Sequence, residues 1–294
     1  MALNLQTFKT RTLTALIFVV LMMAGLLINH WTFFILFTII HFGCWIEYQR
    51  LIGLVDINYQ GITPFHKYGV AIAGWCIMMY FTGDEYNIFG LPLHEAGWWL
   101  GLIAVFLLPL MELLLNPEIR LKNIGYSALG LGYISLSLGL MIDLSKQVNF
   151  FLSDTTYDFK FGMIPLFIIG CIWVNDTLAY LIGSWIGKRK LSKISPKKTW
   201  EGTLGGMILA IVAAGLLAWK QDLPLMSLMS AAGIITIAGT FGDLLQSKLK
   251  RMAGVKDSGS IMPGHGGFLD RFDSMIVAIP FVWLFVFFVV KSTH

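Results

Sequence analysis

Nine stretches of mostly apolar residues, most of them long enough to cross a bilayer, dominate this 294-residue sequence. They run roughly over 12–28, 31–46, 68–82, 97–115, 125–142, 163–185, 203–219, 225–245 and 274–290. About 20 apolar residues in a helix cover the ~30 Å of a hydrocarbon core; the second and third runs fall short of that. Short polar connectors with Pro, Gly, Asn or Asp separate the runs. The expected fold class is an all-α integral membrane protein, a polytopic bundle of about nine transmembrane helices. Composition closes the alternatives. Hydrophobic residues make up 56% and charged residues 13%, about half the ~25% charge of soluble domains, and the mean hydropathy is +0.73. A soluble enzyme, a disordered chain and a disulfide scaffold are all excluded. Cys44, Cys76 and Cys171 lie in apolar stretches and read as packing residues.

Lys9 and Arg11 precede the first run as in a signal peptide, but no small-x-small cleavage site follows it and a second run begins at once. It reads as an uncleaved anchor. Basic loops are retained on the cytoplasmic side. With a cytoplasmic N-terminus and nine spans, seventeen of the 21 lysines and arginines fall inside; only Lys146, Lys160, Lys220 and Lys291 fall outside. Dropping one span would scatter them over both faces. The C-terminus is therefore expected outside. No internal repeat is visible. Residues 1–160 carry about five spans and 161–294 about four spans with cytoplasmic polar loops, together one integrated membrane domain.

The first half offers little chemistry. Glu47 and Glu112 lie near segment ends, where a snorkelling or interfacial role is the default. The second half differs in three places. Asp176 sits deep in an apolar run, beside Asn175 and Thr177. A carboxylate there costs ~2.5–3.5 kcal/mol on insertion scales and normally faces a partner, a metal or water. Asp243 repeats the pattern late in the eighth segment. Second, the loop from Lys188 to Gly202 holds six cations and one acid. It is a positive-inside determinant that also attracts anionic headgroups. Ser195 with Lys197, Lys198 and Thr199, just ahead of an apolar helix, further suits phosphate oxygens.

Third, the tether between the last two spans is rich in Gly, Lys and Asp. It includes Ser247, Lys250, Arg251, Lys256, Asp257, Gly259, Pro263, His265, Gly266, Gly267, Asp270, Arg271 and Asp273. Glycines let backbone amides approach an oxyanion closely. If helical, Asp270 and Asp273 share a face at i and i+3. Two such carboxylates can share Mg²⁺, which takes phosphate oxygens as further ligands. Asp243 would reach the same spot from the neighbouring helix end.

The run from Ser247 to Asp273 closely resembles the signature of phosphatidate cytidylyltransferases, a Ser-x-apolar-Lys-Arg pattern leading through Lys-Asp to His-Gly-Gly-apolar-x-Asp-Arg-apolar-Asp. Met262 is a conservative departure. The stretch from Ser195 to Gly202 looks like the family's other typical segment, and Asp176–Tyr180 is similar more loosely. Ser184 stands where the family often has Arg. The specific resemblance covers about residues 170–274.

The resemblance implies transfer of a cytidylyl group from CTP to phosphatidic acid, giving CDP-diacylglycerol and pyrophosphate for phospholipid biosynthesis. The attacking phosphate is already anionic, so no strong base is needed; cations must offset phosphate–phosphate repulsion. By this reading Asp243, Asp270 and Asp273 hold Mg²⁺, and Asp176 binds or orients a second, monovalent cation such as K⁺. Lys197, Lys198, Lys250, Arg251, Lys256 and Arg271 contact phosphates, Ser195 adds a hydroxyl, and His265 with Gly266 and Gly267 forms the loop near the leaving group. The catalytic set is Asp243, Asp270, Asp273, Lys256 and His265. A homodimer in a bacterial inner membrane, its site toward the cytoplasm, is expected, and no nucleic-acid partner. Two rivals remain: a related CTP-dependent lipid transferase with another acceptor, and an ion-coupled transporter, for which intramembrane Asp residues are common.

Overall fold

The structure is a computed structural model and describes residues 5–115, 120–147, 161–260 and 266–292, with side chains over 14–289 of these. His265, with Met262 and Pro263, lies outside the described residues. The chain forms α1 (Leu5–Leu27), α2 (His30–Val55), α3 (Pro64–Tyr80), α4 (Leu93–Leu115), α5 (Leu121–Gly130), α6 (Ser137–Lys146), α7 (Met163–Ile186), α8 (Trp200–Lys220), α9 (Leu225–Met252) and α10 (Leu269–Ser292). A π-helical stretch over Leu131–Leu136 joins α5 to α6, so the two run as one element. Among the described residues, paired strands are confined to β1 (Asn87–Ile88) and β2 (Leu91–Pro92), closed by Phe89 and Gly90, both with positive φ.

The all-α reading holds. Among the described residues seven elements are long and apolar enough to cross a membrane: α2, α4, α5–α6, α7, α8, α9 and α10. α1 has a described apolar part of only Thr14–Leu27, and α3 is 17 residues long. One correction concerns the extent of α2. It is not a short run ending at residue 46 but a helix of 26 residues. Its polar continuation survives because each side chain finds a partner. The Tyr48 hydroxyl donates to the Tyr126 carbonyl (2.8 Å) and Gln49 Nε2 donates to the Lys67 carbonyl (2.8 Å). Asn29 opens α2 with a capping box: its Oδ1 accepts from the Thr32 N–H (2.8 Å), and the Thr32 hydroxyl accepts from the Asn29 N–H (3.2 Å).

The described residues divide into two compact units, one within Met1–Ile142 and Met252–Phe272, the other within Asp143–Arg251 and Asp273–His294. The boundaries fall inside α6, α9 and α10. The first unit packs Phe33, Phe37, Cys44 and Trp45 of α2 with Met78 and Met79 of α3, Ile134 of the π-helical stretch and Leu138 of α6, all buried. Inside it, Ser135 bonds both His41 Nε2 (3.0 Å) and Trp45 Nε1 (2.9 Å). Ser127 likewise joins Tyr59 (3.0 Å) and His66 Nε2 (2.8 Å), and His66 Nδ1 meets Glu112 Oε2 at 3.0 Å. Glu112 is therefore a buried, paired carboxylate and not an interfacial one.

In the second unit α7 and α8 cross through glycine. A Cβ on Gly202 would lie 2.8 Å from the Gly183 Cα and 2.5 Å from the Ala179 carbonyl oxygen; one on Gly206 would lie 2.7 Å from the Asn175 carbonyl oxygen. Small residues let helix backbones approach where lipid gives no hydrophobic drive. Gly183 and Gly202 thus serve a contact within one chain.

Candidate active site

The second unit holds a cavity of about 320 Å³ between α7 and α8, with α9 contributing. Asn175, Asp176, Gly183 and Ser184 of α7 line it, with Lys197, Lys198 and Thr199 of the preceding loop, Thr203 of α8, and Thr240 and Asp243 of α9. The basic loop folds back on itself to deliver its lysines. Lys190 and Thr199 form an isolated antiparallel bridge, and the Lys198 N–H donates to the Ser195 carbonyl (3.1 Å). The Glu201 carboxylate accepts from the Lys188 and Arg189 amides (3.1 and 3.2 Å). Thr199 caps α8 by accepting from the Gly202 N–H (3.2 Å). Ser195 shapes this turn and is not among the residues lining the cavity.

Lys198 Nζ lies 2.7 Å from Asp243 Oδ2. Both are within electrostatic reach of Asp273, which is buried in the first turns of α10, and Lys250 is as well. Asp176 feels the same lysine and Asp243. Gly242 is why α9 can approach so closely: a Cβ there would lie 2.5 Å from the Asp273 carbonyl oxygen. The structure thus gathers Asp176, Asp243 and Asp273 around one ammonium group. Asn175 is buried, and its Oδ1 has no hydrogen-bond partner among the described residues. Ser184, in the position expected for Arg, donates to the Leu181 carbonyl (2.8 Å). Lys250 and Arg251 occupy the last turn of α9, where cations complement the helix dipole.

The first unit holds the other part of the signature. Asp270 and Asp273 are helical as expected, because α10 begins at Leu269 and not at 274. Asp270 Oδ2 accepts from the Ser258 N–H (2.8 Å) and the Gly267 N–H (3.0 Å). Gly266 has φ +83°, a conformation that favours glycine. Lys256 and Arg271 are exposed. Glu47 is buried against this loop, a contact for which the local sequence carried no signal. Among the described residues no three His, Cys, Asp or Glu side chains stand close enough to hold a metal ion together.

Fold and cavity define a multi-pass membrane protein that sets lysines against carboxylates in a polar chamber beside apolar helices. The chain belongs to the cytidylyltransferase family, whose model matches residues 9–289. It is 34% identical over 213 residues to the phosphatidate cytidylyltransferase of Bacillus subtilis, covering 70% of this chain and 74% of that one. It is 30% identical over 276 residues to that of Staphylococcus aureus, covering 92% and 96%. Over a shorter stretch of 146 residues, 47% of this chain and 51% of the relative, it is 40% identical to the phosphatidate cytidylyltransferase of Haemophilus influenzae.

Proposed function

We propose that this chain transfers the cytidylyl group of CTP to phosphatidate, releasing pyrophosphate. The observation that carries the reading is the cavity wall on which Lys197 and Lys198 face Asp243 and Asp176. A phosphate oxygen of the lipid forms a bond to the α-phosphorus of CTP, and the bond from that phosphorus to the β-phosphate oxygen breaks. Both reactants are anions, so most of the work is charge neutralisation and placement. Lys197 and Lys198 bind phosphate oxygens and offset their repulsion. Lys250, Arg251, Lys256 and Arg271 are assigned to the same task, and His265 to the loop near the leaving group. The acyl chains stay in the bilayer.

The donor chemistry fits Mg²⁺. Asp243 and Asp273 supply hard carboxylate oxygens, and a cation, the Lys198 ammonium, already sits against one of them. Asp243 and Asp273 would hold the ion, with phosphate oxygens and water completing its shell; when bound, it supplies charge to the leaving pyrophosphate. Asp270 stands one turn earlier on α10, and its Oδ2 is already engaged by two amides. Asp176, with the orphaned amide oxygen of Asn175 beside it, would hold a second, monovalent cation such as K⁺. A cytoplasmic site in a bacterial inner membrane is supported by the lysine and arginine asymmetry. A homodimer completes the reading.

Purified protein offered labelled CTP with phosphatidate, an archaeal-type ether-lipid phosphate or an isoprenoid alcohol should label phosphatidate fastest. Preferential labelling of another acceptor would move the assignment to a related lipid transferase.

A further inference from the structure

The glycines of the signature loop suggest amides approaching a bound oxyanion. The oxyanion they approach in this structure belongs to the protein. Glu47, on α2, is 3% exposed. Its Oε1 accepts from the Phe268 N–H (2.9 Å), and its Oε2 accepts from the Leu269 N–H (2.9 Å) and the Ser258 hydroxyl (2.6 Å). A Cβ on either Gly259 or Gly267 would run into the Glu47 carboxylate. Gly43, one turn before Glu47, leaves room for the Phe268 ring in the same way.

The need for such a residue follows from helix chemistry. The first amides of α10 have no partners within the helix, and Phe268, at the cap position, has no side-chain acceptor to offer. A carboxylate supplied from α2 satisfies two of these donors with charge-assisted bonds and places negative charge at the positive end of the helix. Ser258 ties the arrangement together: its hydroxyl is held by Glu47 and its amide by Asp270. Two carboxylates therefore tie Ser258, two residues after Lys256, to the start of α10, and one of them accepts from the first amides of that helix.

Resting on the transfer reaction proposed above, we infer that Glu47 is a positioning residue for it. Glu47 acts through Ser258 and the start of α10 to set Asp270, and it touches no substrate. The test compares Glu47→Gln, Glu47→Asp and Ser258→Ala in the full-length protein, by steady-state kinetics and by amide hydrogen exchange. Glu47→Gln keeps the shape but removes the charge and one acceptor. The expected result is faster exchange confined to Gly254–Gly259 and Gly266–Phe272. A fall in kcat of about 10–100-fold should accompany it, with little change in the KM for phosphatidate. Glu47→Asp should recover part of the loss. Ser258→Ala should cost less in the Glu47→Gln background than alone. Unchanged exchange and kcat in Glu47→Gln would overturn the inference. So would exchange rising equally throughout α2 and α3, which marks a general prop of the fold. If Glu47→Gln does not accumulate, normal exchange and kcat in Ser258→Ala would overturn it. Exchange is read without substrate, so a protein that fails to use phosphatidate would sink the activity and leave the anchoring tested.

Discussion

Lys198 and Asp243 meet at 2.7 Å with their side chains 33% and 26% exposed. A pair that open to solvent is screened and adds little to stability, so its consequence is placement: one ammonium held between carboxylates that would otherwise repel. Lys122 and Asp56 form a second pair at 2.7 Å, in the first unit, with a different consequence. The Lys122 hydrogen bond, helped by the Asn58 amide, holds the Asp56 carboxyl below its ordinary value of 3.8. A carboxyl depressed on folding stabilises the fold above its unfolded value, and that contribution is lost as the pH falls through the folded value. Lys122→Met should therefore lower thermal stability in detergent most near neutral pH. The gap from the unsubstituted protein should close as the pH falls below 3.8. A gap that does not vary with pH would show that Lys122 acts by packing its alkyl chain.

Helices in this chain are placed by what they lack as much as by what they carry. Gly202 and Gly206 let α8 lie on the backbone of α7, and that crossing holds the lysine loop over Asp176. Gly202→Val would push its Cβ against backbone atoms that cannot yield. Overpacking of this kind typically costs about 1–3 kcal/mol, so both the unfolding temperature and the transfer rate should fall. Gly170→Ala, where a Cβ meets nothing within 4 Å, should leave both unchanged and serves as the control. Glycines four residues apart, as at 202 and 206, can be seen in a sequence, but whether they join helices of one chain or two cannot. The extent of α2 was hidden for a related reason. Hydropathy ends a span at its first polar residues, whereas Glu47, Tyr48 and Gln49 continue the helix because distant groups satisfy them. Glu47 finds its partners 211, 221 and 222 residues away. No window along the sequence can register such a contact, so a segment-end role was the natural but wrong expectation.

For the whole molecule, the all-α membrane architecture was legible because apolar run length reports it directly. The Ser247–Asp273 signature was legible because its residues are close in sequence. Family membership sets aside the transporter reading. The resemblance set Asp243 with Asp270 and Asp273 about one ion; in the second unit the cavity wall carries Asp176 and Asp243 beside Lys198, with Asp273 within their electrostatic reach. The most direct test of the account uses purified protein in detergent–phosphatidate micelles with Mg²⁺ and CTP labelled at either the α- or the γ-phosphorus. Label from the α position should enter the lipid phase while γ label leaves as pyrophosphate, and Asp243→Asn should slow the transfer about 10²–10³-fold. Entry of γ label into the lipid, or α transfer undiminished in Asp243→Asn, would contradict it.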